Sequence, residues 1–234
     1  MTAGRRGALA LAALCALPGL SHAVTESEPL PMVFEPSPEP ADRPDGVPVA
    51  TPRLVRGCTL YLPAVEDVRS NRANAGNLTV MLPTVHATPR SVQSLRSGDA
   101  TAWTRGALQS IRRYGFQPVL GAPAANGGAV QVTASGASGQ VTANVALRLA
   151  HAWSAGLNLV SHVVLQVGYR LPGGEATVAV RQYHGMGTRT NFASGNGEFM
   201  SVLNLGLEEA VRSMALDAAA LCDGKPLPEP VVAR

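Results

Sequence analysis

The residues best suited to chemistry in this 234-residue chain are its cysteines and histidines. Of three cysteines, Cys15 lies in an N-terminal apolar run, which leaves Cys58 and Cys222 as an even pair. In an oxidising compartment this pair predicts a disulfide that ties the start of the domain to its end. Two buried thiols are the alternative. The number and spacing of the cysteines exclude a CxxC redox site and a zinc site.

The histidines beyond the N-terminal run predict no metal site. They lie far apart along the chain, and none is at a ligand spacing from another histidine, a cysteine or a carboxylate. The sequence also contains no nucleophile elbow, Walker loop, dinucleotide fingerprint or HExxH motif. Acidic residues that could work as an acid–base pair are scarce between Asp99 and Glu198. We therefore expect a protein that is not an enzyme and needs no cofactor. The histidines are His86, His151, His162 and His184.

Two polar segments are the candidate sites for a partner or a ligand. The first follows the first predicted strand and carries mixed charge. The second, HGMGTRTNF, is rich in glycine and precedes the last predicted helix, whose N-terminal backbone amides could receive an anion together with an arginine. The simpler interpretation of both is an exposed connection between elements. The candidate residues are Arg69, Asn71, Arg72, Asn74, His184, Arg189 and Asn191.

The first 23 residues have the pattern of a secretory signal peptide. Arg5 and Arg6 precede an apolar run, and the small residues Ser21 and Ala23 predict cleavage after Ala23. The residue immediately before Cys15 is Leu14 and not a small residue, so we do not expect a lipid anchor there. The mature chain is predicted to be periplasmic, or peripheral to the outer membrane. No later segment is long and apolar enough to cross a membrane.

Composition divides the mature chain into a tether and one domain. Residues 24–52 are crowded with prolines and acidic residues, which is typical of a disordered spacer. Residues 53–223 suffice for a single domain with its own core, and 224–234 form a flexible tail. Export removes two of the 19 basic residues, and the remaining 17 face 16 acidic ones, a formal net charge of +1. This near balance argues against nucleic-acid binding.

Hydrophobic periodicity predicts an α+β fold with a largely antiparallel sheet and two main helices packed on one face. The clearest helix spans 196–222, where an apolar stripe runs from Phe199 to Leu221. A second helix is predicted over 97–114, ending at Gly115. Strands are predicted over 54–68, 78–85, 116–120, 130–133, 141–153, 159–171 and 176–184, with a Pro–Gly–Gly turn at 172–174.

The order of these features resembles the YajG-type envelope lipoproteins. The resemblance rests on the DVR at Asp67–Arg69, the GF at 115–116, the YHG at 183–185 and the terminal MSVLNLGLEEAVRSMALD, and it covers 54–221. It implies an α+β domain of the Gram-negative envelope without catalytic activity, and it supplies no functional residues. The lipobox of that family is missing here.

The sequence thus predicts a non-enzymatic accessory protein of the cell envelope that works by binding a protein partner. A small-ligand or glycan-binding module of the periplasm, with peptidoglycan as its target, is the alternative. The identity of the partner, the pathway and the oligomeric state do not follow from the sequence.

Overall fold

The structure of the chain, a computed structural model, describes most of the predicted domain and a short segment before it. The predicted signal peptide lies outside the described residues. No helix in the described part of the chain is both long enough and apolar enough to span a bilayer. The described residues are 28–37, 53–81, 90–123, 139–155, 157–172, 176–190 and 195–227.

Eight strands form one sheet, which two α-helices and a short 3₁₀-helix accompany in the described ranges. The strands are β1 (Thr59–Leu62), β2 (Val65–Asp67), β3 (Asn74–Met81), β4 (Arg90–Arg96), β5 (Gln117–Leu120), β6 (Gln140–Ala155), β7 (Asn158–Arg170) and β8 (Ala179–Thr190). The helices are α1 (Ala100–Gln109), the 3₁₀-helix Ser110–Tyr114, and α2 (Asn196–Cys222).

The three longest strands, β6, β7 and β8, pair in antiparallel order along the chain. Buried and less buried side chains alternate along these strands, because successive side chains of a strand point to opposite faces. A bulge between Leu147 and Leu149 shifts this alternation by one residue in the middle of β6.

The other edge of β6 is shared by three short strands that run parallel to it. β1, β2 and β3 pair in turn with the beginning, the middle and the end of β6. β5 is parallel to β1, and β4 is antiparallel to β3. The predicted α+β fold with a largely antiparallel sheet is therefore wrong, since the sheet is mixed. The alternation of apolar residues gives the period of a strand but not its direction, and parallel partners lie far apart in sequence.

Helix α2 packs across β6, β7 and β8, and the helix predicted over 196–222 is confirmed. Glycines allow the backbones of helix and strand to approach closely. A Cβ atom added to Gly185 would lie 1.9 Å from the carbonyl oxygen of Gly206, and one added to Gly187 would lie 2.0 Å from that of Val202. Ser161 of β7 donates a hydrogen bond of 2.6 Å to the same Val202 oxygen.

Helix α1 begins after Asp99, whose side chain accepts a hydrogen bond of 2.9 Å from the Ala102 amide. Its buried Trp103 donates from Nε1 to Asn204 Oδ1 of α2 over 2.7 Å. This bond satisfies two polar groups in the core and fixes α1 against α2. Gly115, with φ of 96°, ends the following 3₁₀-helix as predicted.

Residues 28–37, which we call the N-terminal strap, cross over α1 and reach α2. Leu30 and Met32 are buried in the core, and the Leu30 amide donates to the Arg96 carbonyl over 2.9 Å. Asn204 of α2 donates from Nδ2 to the Val33 carbonyl over 3.3 Å. The predicted disordered tether 24–52 is therefore wrong over 28–37, because two apolar side chains of this stretch find a place in the core. The rest of the tether, 24–27 and 38–52, lies outside the described residues.

The predicted disulfide between Cys58 and Cys222 is confirmed, with their Cα atoms 6.2 Å apart. It joins the start of the domain to the last residue of α2, across 164 positions of sequence. Disulfides form and persist in oxidising compartments, which agrees with export of the chain. Beyond the bridge, Leu227 of the predicted flexible tail packs against the core.

Candidate ligand-binding face

The open face is the side of β6, β7 and β8 that points away from α2. In the described part of the chain, both α-helices and the N-terminal strap lie on the other side of the sheet. Three apolar side chains on the open face are well exposed: Leu149 by 40%, Val180 by 57% and Met186 by 53%. Apolar exposure of this kind on neighbouring strands is typical of binding surfaces.

Four rings form a row across the open face, from β6 through β7 to β8. The rings of His151 and Trp153 have centroids 5.8 Å apart and are tilted to each other. Trp153 stacks on His162 at 5.1 Å, and His162 stacks on His184 at 4.7 Å. Nδ1 of His162 and Nε2 of His184 lie 2.5 Å apart. The strand register explains the row, because His151 lies directly opposite His162 and His184 lies one diagonal step further.

One end of the ring row reaches β3. Asn77 Nδ2 lies 3.5 Å from His151 Nε2. Burial lowers the pKa of His151, and repulsion from a charge on His162 lowers it further. The ring of His151 therefore favours the neutral form, whose unprotonated nitrogen can accept a hydrogen bond from the Asn77 amide.

The ionisable side chains of β6, β7 and β8 that carry charge near neutral pH are all basic. β6, β7 and β8 carry four arginines and three histidines but no aspartate or glutamate. Arg148 and Arg170 are exposed, and neither forms a salt bridge with another described residue. Glu66 of β2, paired with Ala146 of β6, brings an acidic side chain to the margin. The open face is thus apolar and cationic, with the ring row near the end of β6 and the start of β7.

The other two arginines of these strands, Arg181 and Arg189, contact α2. Arg189 donates to Ser201 Oγ of α2 over 2.5 Å, and Arg181 lies 4.0 Å from the carboxylate of Asp217. These contacts hold the edge strand β8 to α2.

The first predicted loop is largely closed by its own arginine. Arg69 is buried and forms a two-pronged pair with Asp67, over 2.8 Å to each carboxylate oxygen. It also donates to the carbonyls of Arg72 and Asn74 and to Ser97 Oγ. Arg69 therefore shapes the loop through these contacts, and its role as a binding residue stays a prediction.

The other residues of that loop differ in exposure. Asn71 and Arg72 are exposed, as a binding site requires. Asn74 uses its side-chain oxygen to accept a bond of 2.6 Å from the Gly76 amide, where β3 begins with a bulge. Burial alone would raise the pKa of Asp67, but its hydrogen bonds and charge pairing with Arg69 outweigh burial and lower it.

The second predicted loop is not a loop over most of its length. His184 and Arg189 lie within β8, and Asn191 lies outside the described residues. Gly185 and Gly187 are needed for the close approach of α2, so they do not mark a flexible anion site. Of the predicted residues in this segment, the open face includes His184.

The sequence did not predict the contact of His162 with His184 or the place of Trp153 between His151 and His162. These residues are far apart along the chain, so spacing motifs do not detect them. Folding the predicted strands 159–171 and 176–184 about the turn at 172–174 would have placed the two histidines opposite each other. Hairpin symmetry was the available signal.

A second polar cluster lies between the sheet and α2. Tyr169 and Tyr183 share a hydrogen bond of 2.8 Å, and Tyr183 donates to Asp217 Oδ2 over 2.6 Å. Burial raises the pKa of both tyrosines, and for Tyr183 the neighbouring Tyr169 and Asp217 raise it further. Both phenols therefore stay protonated, and the cluster anchors α2 on the sheet. Within the described residues, no group of three or more histidine, cysteine or acidic side chains is arranged to hold a metal ion.

Comparison with known proteins gives structural resemblance at low sequence identity. No protein-family profile matches the sequence, and no curated protein matches it. A crystal structure of a Xanthomonas campestris protein of family DUF330 has a TM-score of 0.44 at 10% identity, covering 82% of this chain and 98% of the other.

Two further solved structures are similar to this chain. A Caulobacter crescentus protein provisionally described as a lipoprotein gives a TM-score of 0.38 at 15% identity, over 55% of this chain and 87% of its own. A protein described only as uncharacterized gives 0.39 at 13% identity, over 70% and 94%. None of these descriptions names the YajG-type family, so that resemblance stays a prediction. This chain is thus similar to a DUF330 protein and to a bacterial protein provisionally described as a lipoprotein.

Proposed function

We propose that this chain is a non-enzymatic accessory protein of the Gram-negative cell envelope that binds an acidic surface of a protein partner through its open face. The signal pattern ending at Ala23 and the Cys58–Cys222 disulfide support export to the periplasm. The observation that carries the binding role is the combination of exposed apolar side chains, arginines and rings on strands without a carboxylate.

The residue types on the open face are those of protein interfaces. Tryptophan, methionine and arginine are enriched in interface cores, where a few such residues carry most of the binding energy. Trp153 is half-buried within the ring row, Met186 is exposed opposite His162, and Val180 is exposed further along β8. Arg148 and Arg170 would attract an acidic partner and set its orientation, since complementary charge speeds encounter and suppresses wrong partners.

Charge reversal on the open face tests the proposal. The full chain with Arg148→Glu and Arg170→Glu should lose a saturable crosslinked partner in cells. Arg112→Glu with Arg212→Glu makes the same change of charge at exposed positions on the helical side, and it should retain the partner. Equal loss in both double variants, or retention in both, would exclude the open face as the interface.

A glycan ligand would give a different pattern in the same experiments. Cosedimentation of the purified chain with peptidoglycan, abolished by Trp153→Ala, in the absence of any saturable protein partner would replace the protein-binding proposal with the glycan-binding one. Both experiments use the oxidised chain, because the disulfide stabilises its fold.

A further inference from the structure

Two histidines and a methionine occupy adjoining positions of β7 and β8 at the outer end of the ring row. His162 Nδ1 and His184 Nε2 lie 2.5 Å apart on the open face. Met186 lies opposite His162 in the register of β7 and β8, and two residues after His184 on the same strand. Alternation places His162, His184 and Met186 on one face, at adjoining positions.

We propose that His162, His184 and Met186 form a binding site for a soft monovalent metal ion of the class of Cu(I). Imidazole suits copper, and thioether donors select Cu(I) over hard cations. The site goes beyond the partner-binding role, since it can be occupied in the isolated chain.

The donor set decides the class of ion. Structural zinc takes four nitrogen, sulfur or oxygen ligands in a tetrahedron. The described residues offer no third histidine, cysteine or carboxylate arranged to complete such a set. The carboxylate of Glu209 accepts a hydrogen bond of 2.7 Å from the Met186 amide and is thereby engaged with the backbone of β8. Two imidazoles and one thioether remain, which is a set for an ion that accepts few, soft ligands.

The surroundings hold one histidine and leave the other free to adjust. Trp153 stacks on His162 with an angle of 11° between the ring planes, which fixes that ring. His184 is exposed, and β8 pairs with β7 alone in the sheet. Each metal–nitrogen bond is about 2 Å long, so the two nitrogens must separate to about 3–4 Å. Rotation of the exposed His184 ring provides this movement. Met186, exposed by 53%, is open to an entering ion.

The test is an anaerobic titration of the full oxidised chain with Cu(I) against a chromophoric chelator. We expect one ion per chain, with affinity reduced at least about tenfold by His184→Asn and by Met186→Leu, since even outer-shell changes cost that much at metal sites. Gln182→Ala, at an exposed position of the same strand and face, should bind as the unchanged chain does. Far-ultraviolet circular dichroism confirms that each variant is folded.

Two results would overturn the site. One is the absence of a bound ion at micromolar Cu(I), and the other is equal binding by all three variants. Binding of Zn²⁺ as tight as that of Cu(I) would refute the choice of ion. These readouts need no partner, so the site can fail while the partner-binding proposal stands, and the reverse also holds.

Discussion

Replacing Leu30 by alanine should destabilise the protein, although Leu30 lies in a stretch whose composition is that of a disordered tether. Its side chain is 2% exposed, within the core cluster of the domain. Its carbonyl lies against Gly98, where an added Cβ would approach the Leu30 oxygen to 2.3 Å. The side chain therefore contributes to the core although it precedes the first strand of the sheet.

The magnitude follows from the burial of this side chain. Truncation of a buried leucine to alanine costs about 2–5 kcal/mol, and less where the surroundings can relax into the space. The N-terminal strap belongs to no helix or strand of the domain and can relax, so we expect about 2–3 kcal/mol from the lower part of that range. Val33 is 62% exposed in the same segment, and Val33→Ala should change the unfolding free energy by less than about 0.5 kcal/mol.

Equilibrium urea denaturation of the mature, oxidised chain measures both variants, with circular dichroism as the signal. A lower midpoint with an unchanged slope shows a change in stability alone. Slow exchange of the Leu30 amide, which donates to Arg96, provides an independent readout of docking. If Leu30→Ala and Val33→Ala have the same midpoint and the Leu30 amide exchanges fast, the strap is not docked in solution and the reasoning is refuted.

Three further changes test the fold. Gly185→Ala should cost at least about 1–3 kcal/mol, because the new methyl group meets the backbone of α2; Gly197→Ala, with nothing within 4 Å, should be neutral or slightly stabilising in the same melts. The pKa of Asp67 is lowered in the folded chain, so the stabilisation by its carboxylate is present above the unfolded pKa of about 3.9 and is lost as the pH falls through the folded value. Asp67→Asn should therefore reduce the loss of unfolding free energy at acidic pH. An unchanged dependence of the unfolding free energy on pH would contradict this. Reduction of Cys58–Cys222 should lower the unfolding free energy by about 2–5 kcal/mol, measured by denaturation with and without reductant, and identical midpoints would argue against the bridge.

Local sequence predicted the elements whose pattern is continuous. The stripe over 196–222 gave α2 because each apolar residue of the stripe faces the same sheet. Alternation predicted β7 and the first half of β8, whereas the second half of β8, beyond His184, was predicted as a loop. The parallel neighbours of β6 could not be predicted in this way, because β1, β2 and β3 each contribute only a few paired positions and lie far from β6 in sequence.

The N-terminal strap shows a different limit of local reasoning. Prolines and acidic residues around Leu30 and Met32 lower the mean apolar content, which predicts disorder. Order depends on whether the domain offers a cavity for two particular side chains, and composition carries no information about that cavity. The candidate site likewise depends on the tertiary structure and not on local sequence. His162, His184 and Trp153 become neighbours only through strand register, so no motif records them.

The HGMG segment of β8 shows how one short sequence serves both faces of the sheet. Gly185 and Gly187 point to α2, where any side chain would collide with the helix backbone. His184 and Met186 point to the open face, where side chains are exposed. A strand with period two can separate the two roles residue by residue. Substitutions at Gly185 and Gly187 should therefore lower stability. Substitutions at His184 and Met186 should lower binding and leave the unfolding free energy nearly unchanged.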